Sequence, residues 1–374
     1  MTPEHSNLQS LPSLASRPTA ENIDFWLRSS GDRQQMLLDR AGAVRQENVG
    51  NSVYFRGIIE FSNICGNDCL YCGIRRSNSQ VKRFWLTLDE VLECASFCHQ
   101  AGYGSLVLQS GEQRSAEFID FVENAVARIK DKFPDLGVTL CVGEQSRETY
   151  KRFYDAGAHR YLLRMESSVP EHYREIHPPD MDFESRKECL YTLRKLGFQV
   201  GTGVMIGAPR QTFNHLARDL MFIKNMDVDM VGMGPYVGHE NTPLSQSEMS
   251  SEKRLRTSIN MIAVLRLLMP DINIASTTAL QALDPYGREQ GLKAGANVIM
   301  PIATPQNYRD SYKLYEDKPC VNETSEHCLH CITGRIKSAG LDPVFNEWGD
   351  SLHFHKRQSL TASDNGRAAC YQRP

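Results

Sequence analysis

Little in this sequence suggests a membrane protein, a polyanion binder or an exported one. Across 374 residues no uninterrupted apolar run approaches the ~20 residues of a membrane span. The formal charge is only −3, from 42 Lys and Arg against 45 Asp and Glu, so no basic footprint for nucleic acid is present. Met1 to Pro18 is rich in Ser and Pro and lacks the apolar centre of an export signal. The histidines are scattered, and apart from His327 and His330, beside late cysteines, none has metal-ligand spacing. Cysteine is what the chain does have. Eleven cysteines without an export signal imply a reducing, cytoplasmic setting and thiols used as ligands rather than disulfides. Hydrophobic residues make up 41%, enough for a large core.

The densest cysteine stretch is Cys65-Gly66-Asn67-Asp68-Cys69-Leu70-Tyr71-Cys72, spaced x3 then x2, directly after the strand-like run Tyr54 to Phe61. Thiolates are soft ligands suited to iron–sulfur clusters or zinc. Three of them ligate three irons of a 4Fe–4S cube and leave the fourth open, and Tyr71 can shield one cluster face. A zinc site or a redox Cys-x-x-Cys is the alternative, but neither explains the third cysteine at x3 or the preceding strand. The motif resembles the radical S-adenosylmethionine (SAM) signature, in which SAM's amino and carboxylate groups chelate the open iron.

From Val53 onward strand-like and helix-like segments alternate. The strands are expected at Val53 to Phe61, Ser105 to Gln109, Val138 to Val142, Arg160 to Met165, Val200 to Ile206, Met230 to Met233, Asn273 to Ser276 and Asn297 to Met300. Thr87-Leu88-Asp89-Glu90 is a capping box opening one of the intervening helices. Eight such units favour a closed (βα)8 TIM barrel of radical SAM type, with an open six-unit partial barrel as the alternative. The expected organisation is a disordered N-terminus (1–20) and a helical cap across the closed end (21–50). The barrel (51–301), a C-terminal extension with further cysteines (302–350) and a flexible tail (351–374) follow. In such barrels chemistry sits at the C-terminal ends of the strands, where the cysteine loop falls.

Several stretches together resemble one radical SAM family, HydE, a maturase of FeFe-hydrogenase. They are Glu60-Phe61-Ser62-Asn63, Leu108-Gln109-Ser110-Gly111-Glu112, Arg160-Tyr161-Leu162-Leu163-Arg164, Asp229-Met230-Val231-Gly232, Thr277-Thr278-Ala279 and Asn297-Val298-Ile299-Met300-Pro301. The similarity runs from about Val53 to about Arg335. It implies that Gln109, Ser110 and Glu112 reach SAM's methionyl amino group from the end of the second strand. Arg164 and Glu166, two residues apart and so on one strand face, offer with Arg186 a fork for a carboxylate and an acid for ribose hydroxyls. Gly201 to Pro209 is glycine-rich and lets an adenine approach, with Met205 and Val237 as apolar walls. Cys141 lies beside these cofactor contacts on the third strand.

Arg56 is a charge inside a strand otherwise fit for burial, so it is expected to face the barrel interior and meet an anion or acid. Thr139 shares a strand face with Cys141. Met230, Thr277, Thr278, Tyr312 and Tyr315 match residues that line the family's deep substrate cavity. Each alone reads as core packing; as a set they indicate a cavity for a small anionic substrate. Cys320-x7-Cys328-x2-Cys331 matches the family's accessory iron–sulfur site, a 2Fe–2S or 4Fe–4S cluster, with zinc and His327 or His330 as the alternative. Cys94 and Cys98 read as a buried helix face, and Cys189 and Cys370 as structural and tail residues.

The resemblance implies reductive cleavage of SAM to a 5′-deoxyadenosyl radical. Its expected target is a cysteine-bound iron carbonyl–cyanide synthon, an organometallic or sulfur-containing, amino-acid-derived small molecule. Ferredoxin or flavodoxin as electron donor and other hydrogenase maturation proteins are the implied partners, with no nucleic acid and no membrane. The alternatives are sulfur insertion of the biotin synthase kind, methylornithine formation, or a non-enzymatic iron–sulfur scaffold. Biotin synthase needs extra barrel cysteines, and only Cys141 lies clearly on a strand.

Overall fold

The computed structural model describes Leu14 and residues 18–360. Eight parallel strands form the barrel: β1 (Ser52–Ser62), β2 (Ser105–Ser110), β3 (Gly137–Cys141), β4 (Arg160–Leu162), β5 (Gln199–Thr202), β6 (Met230–Val231), β7 (Asn273–Ser276) and β8 (Val298–Ile299). Neighbours in sequence are neighbours in the sheet, and β8 returns to β1 through Tyr54↔Val298 and Phe55↔Ile299. The sheet is therefore closed, and its valine, leucine and isoleucine side chains fill one continuous core. A ninth strand, β9 (Asp342–Val344), pairs with the start of β1 from Ser52 to Tyr54, before β2 takes over at Arg56↔Ser105.

Helices alternate with the strands, and the expected capping box is formed: Glu90 N donates to Thr87 Oγ1 (3.3 Å) and Thr87 N to Glu90 Oε2 (2.7 Å). β4, β5 and β6 stop two or more residues earlier than expected. β4 ends at Leu162 and its continuation bends through Glu166, which holds a left-handed φ of 60°. β5 and β6 also part, and beyond them Met205–Ile206 and Gly234–Pro235 form a separate parallel pair. These breaks splay the strand ends and open the mouth of the barrel.

The N-terminal helices Ala20–Leu27 and Gly31–Val49 do not lie across the closed end. They flank the barrel against the outer helices Phe213–Asn225 and Ser251–Leu268. One side chain fixes them there: Asn260 donates to the carbonyls of Leu27 (3.0 Å) and Ser29 (2.9 Å) and accepts from Gln34 Nε2 (2.8 Å).

The floor is filled instead by the chain around Asp350. Its Oδ1 accepts from Arg160 Nε (3.0 Å) and Gln199 Nε2 (2.9 Å), and Gly349 O accepts from Arg56 (3.1 Å) and Asn273 (2.8 Å). Part of the expected flexible tail is also ordered. Residues 352–360 are helical, with His353 between Asp227 (2.7 Å) and Asp271 (3.1 Å) and Arg357 on Asp229 (2.6 Å). Those ion pairs hold the segment to the loops that precede β6 and β7. Residues 361–374, with Cys370, and most of the expected disordered N-terminus lie outside the described residues.

Candidate active site

The cysteine loop leaves β1 at the open mouth and is pinned from several sides. Gly66 N donates to Glu112 O (2.7 Å), while Cys65 Sγ accepts from the backbone N–H groups of Asn67 and Glu112 (both 3.4 Å). Only glycine fits at 111, because a Cβ there would strike the Ile64 carbonyl and the Cys65 Cβ. Asp68 takes a two-pronged contact from Arg75 (2.8 Å each), which holds its carboxyl well below the usual range. Burial pushes the three thiols up, Cys72 to about 12. Unliganded they are protonated, so binding a metal must release protons.

Tyr71 is half-buried beside them. Its hydroxyl lies 3.1 Å from His177 Nε2, and His177 Nδ1 lies 2.9 Å from the Tyr173 carbonyl. A carbonyl only accepts, so Nδ1 carries the proton and Nε2 accepts from Tyr71. Burial, reinforced by Arg186, lowers the His177 pKa to about 3 and keeps the ring neutral.

All three thiols and Tyr71 face one cavity of about 310 Å³ at the mouth. Gln109, Ser110 and Glu112 line it from the end of β2, and Cys141 from β3. Arg164, Glu166 and Arg186 form another side, with Met205 and Val237 near the splayed strand ends. Every residue expected around SAM is thus gathered in one space.

Their pairing differs from the expected fork. Arg164 and Glu166 lie beyond the end of β4 and pair with each other, Nε to Oε1 at 2.8 Å. Arg186 instead contacts Glu144 (2.7 Å) and Glu112 (3.5 Å), and its Nε donates to the Arg164 carbonyl (2.7 Å). The mouth therefore holds two separate arginine–acid groups rather than a single three-residue fork.

The substrate set divides. Thr277, Thr278, Tyr312 and Tyr315 line the main cavity. Arg56 and Met230 line a smaller one of about 20 Å³ beneath it, and Thr139 is buried in neither, its Oγ1 without a partner. Arg56 points inward as expected but meets no acid. Its donors reach Met230 Sδ and the Gly349 carbonyl (both 3.1 Å), because the nearby acid, Asp350, is engaged by Arg160. Burial and Arg160 hold its pKa well below the ordinary value.

Four residues of the site were not anticipated: Glu60, Lys318, Glu144 and His177. Glu60 carried the same signal as Arg56, a charge in an apolar strand. Its partner Lys318 comes from the far end of the chain, and no local pattern pairs them. Glu144 sits three residues past Cys141, and His177 is the C-cap of a short helix, Pro170–Ile176.

The late cysteines are only partly assembled. Cys320, Cys328 and Glu323 bring their ligand atoms within 4.8 Å of one another. Cys331 stays outside that group: it is exposed, and Arg335 Nε donates to it at 3.3 Å from the next turn of helix Ser325–Ser338. His327 and His330 are exposed as well. The donor set is two thiols and a carboxylate, not the three thiols expected from the spacing. Every cysteine among the described residues is free.

A closed parallel barrel with three thiols on the loop after β1, facing one cavity with arginines and acids, is the arrangement of a radical SAM enzyme. The family model of the radical SAM superfamily matches residues 59–223. Among relatives, the [FeFe] hydrogenase maturase subunit HydE of Thermotoga maritima is 42% identical over 315 residues, 84% of this chain and 88% of that protein. The chain belongs to the HydE family of radical SAM enzymes. A 3-methylornithine synthase of Methanosarcina acetivorans is 24% identical over 84% of this chain and 87% of its own. Among solved structures, methylornithine synthase (PylB) superposes with a TM-score of 0.76 at 22% identity, covering 88% of this chain and 94% of that one. HydG from Carboxydothermus hydrogenoformans superposes at 0.74, also 22% identical, covering 88% and 76%. These two likenesses concern the fold. Family membership implies a 4Fe–4S cluster and SAM. No helix among the described residues is long and apolar enough to cross a membrane.

Proposed function

We propose that this protein matures FeFe-hydrogenase by acting on a cysteine-bound iron carbonyl–cyanide synthon, or a closely related sulfur-containing amino-acid derivative, in the barrel cavity. The observation that carries the reading is the 42% identity to a HydE protein across 84% of the chain, joined to a cavity that holds the three thiols and the charged residues together. The residues fit the cofactors: three soft donors come from one loop, and acids and arginines cover the facing wall. When bound, the cluster and SAM supply one-electron reductive cleavage of a sulfonium C–S bond.

The chain's own part is to bind, orient and exclude water. Cys65, Cys69 and Cys72 hold the cluster, and Tyr71, tethered by His177, covers one side of it. Arg164 offers its guanidinium to SAM's carboxylate and Glu166 its oxygens to the ribose, while Gln109, Ser110 and Glu112 take the amino group. Met205, Val237 and Cys141 supply contacts of low polarity. Thr277, Thr278, Tyr312 and Tyr315 shape the substrate end, and Arg56, Met230 and Thr139 lie deeper, beneath it.

Cys320, Cys328 and Cys331 are proposed as the thiols of an accessory iron–sulfur site away from this cavity, with Glu323 beside the first two. A cytoplasmic enzyme reduced by ferredoxin or flavodoxin, working beside other maturation proteins, completes the reading. The test is complementation: expression in a hydrogenase-producing host lacking its own maturase should restore hydrogenase activity. Failure by a protein that cleaves SAM would move the assignment to another full-barrel radical SAM reaction, methylornithine formation first.

A further inference from the structure

Between the thiols and the small lower cavity the barrel wall carries a buried ion pair with no assigned task. Lys318 Nζ lies 2.6 Å from Glu60 Oε1, and the two side chains are 6% and 3% exposed. Lys318 also donates to the Tyr312 carbonyl (2.8 Å) and sits over the Tyr312 ring, 5.1 Å from its centroid. Both residues line the main cavity. The pair is satisfied on one side only: Glu60 Oε2 is buried and has no hydrogen-bond partner.

A tether between β1 and the 302–350 extension would need no such free acceptor. The Glu60 backbone already donates to Thr304 Oγ1 (2.8 Å), and Arg309 ties Thr304 to the carbonyls of Cys320 and Glu323. A carboxylate is acceptor-only, so whatever meets Oε2 must bring an N–H or O–H, and a positively charged donor gains most. Burial raises the Glu60 pKa, and the Lys318 ammonium opposes that shift from 2.6 Å away.

We propose that Glu60, held by Lys318, is a specificity-determining subsite that takes the amine of an amino-acid-derived substrate on Oε2. This rests on the amino-acid-derived substrate of the proposed function and adds which group of it is read, and by which residue.

The test uses the reconstituted, unreduced holoenzyme with saturating SAM, so that the open iron is occupied and no turnover occurs. Two thioether probes are titrated by anaerobic calorimetry: S-methyl-L-cysteine, and 3-(methylthio)propionate, the same body without the amine. The wild type should bind the amino acid about 10-fold or more tightly than its des-amino analogue. Glu60→Gln should erase that preference while leaving the weaker affinity for the analogue in place. Equal affinity of the wild type for the two probes, no binding of either, or a preference that survives in Glu60→Gln would overturn the subsite. The wild-type comparison needs no variant to fold. 5′-Deoxyadenosine formation by the reduced wild type is measured in parallel: its absence would defeat the radical SAM reading itself, whereas its presence with no amine preference defeats only the subsite.

Discussion

The mouth and the floor of the barrel are built from the same materials, buried or half-buried arginines beside buried or half-buried acids, yet they are finished differently. At the floor one acid serves many donors. Asp350 Oδ1 takes Arg160, Gln199 and His159 at once, and the carbonyls of Trp348 and Gly349 receive what remains. At the mouth cations and acids alternate around an open space: Arg164 with Glu166, Arg186 with Glu144 and Glu112, Lys318 with Glu60. Buried charge by itself marks neither region as functional. What separates them is whether the pairs enclose a cavity or a segment of the chain. Arg56 shows the boundary, inward-pointing like a site residue but spent on a floor carbonyl and a methionine sulfur.

The comparison breaks most directly at the thiols. Cys65→Ala should abolish the site-differentiated cluster, read as iron content and optical absorption after reconstitution, while far-UV circular dichroism keeps the barrel signature. A variant that retained a normal cluster would remove the mouth from the chemistry.

The floor should respond in the opposite sense. Asp350→Ala strands the fully buried Arg160 and is expected to cost about 3–5 kcal/mol in denaturant unfolding, with SAM affinity of the folded protein unchanged. A large loss of SAM affinity without loss of stability would erase the distinction between the two ends.

Arg164→Ala removes a charge-assisted contact worth about 1.5–3 kcal/mol, so SAM should bind roughly 10- to 150-fold more weakly while the cluster assembles normally. Arg164→Lys should rescue only in part, because an ammonium keeps the charge without the planar fork. Unchanged affinity in Arg164→Ala would confine this arginine to its ion pair with Glu166.

The smallest effect belongs to the docked C-terminal helix. Asp271, then Asp227, raises the His353 pKa above its ordinary value. A raised folded-state pKa gives stability that is fully present below the unfolded value and is lost as pH rises through the folded one. His353→Gln should therefore lower stability by on the order of 1 kcal/mol on the acid side of neutrality. The difference from wild type should vanish in alkaline buffer, as followed by thermal melting across pH. A gap that widened with pH would contradict the bridging role.

Much of the mouth was legible in the sequence because its information is local. The x3–x2 cysteine spacing, the Thr87–Glu90 capping box and the eight-fold alternation of segments each depend on a few neighbouring residues. What was missed depends on distance or on backbone bends. Lys318 meets Glu60 across 258 positions, and the floor joins Asp350 to Arg160 across 190. The left-handed turn at Glu166 ends the register that period-two reasoning assumed for Arg164 and Glu166. The three late cysteines have the expected spacing, but only Cys320 and Cys328 converge, with Glu323, while Cys331 meets Arg335 one turn on. The helix at 352–360 is held by ion pairs with loops far upstream, which no pattern within the tail announces.

The most direct measurement is of 5′-deoxyadenosine from SAM, made by the reconstituted and chemically reduced protein alongside its Cys69→Ala variant. The account predicts clear formation by the wild type and none by the variant. A wild type that carries its cluster and binds SAM yet yields no 5′-deoxyadenosine, or a variant that yields as much as the wild type, would contradict it.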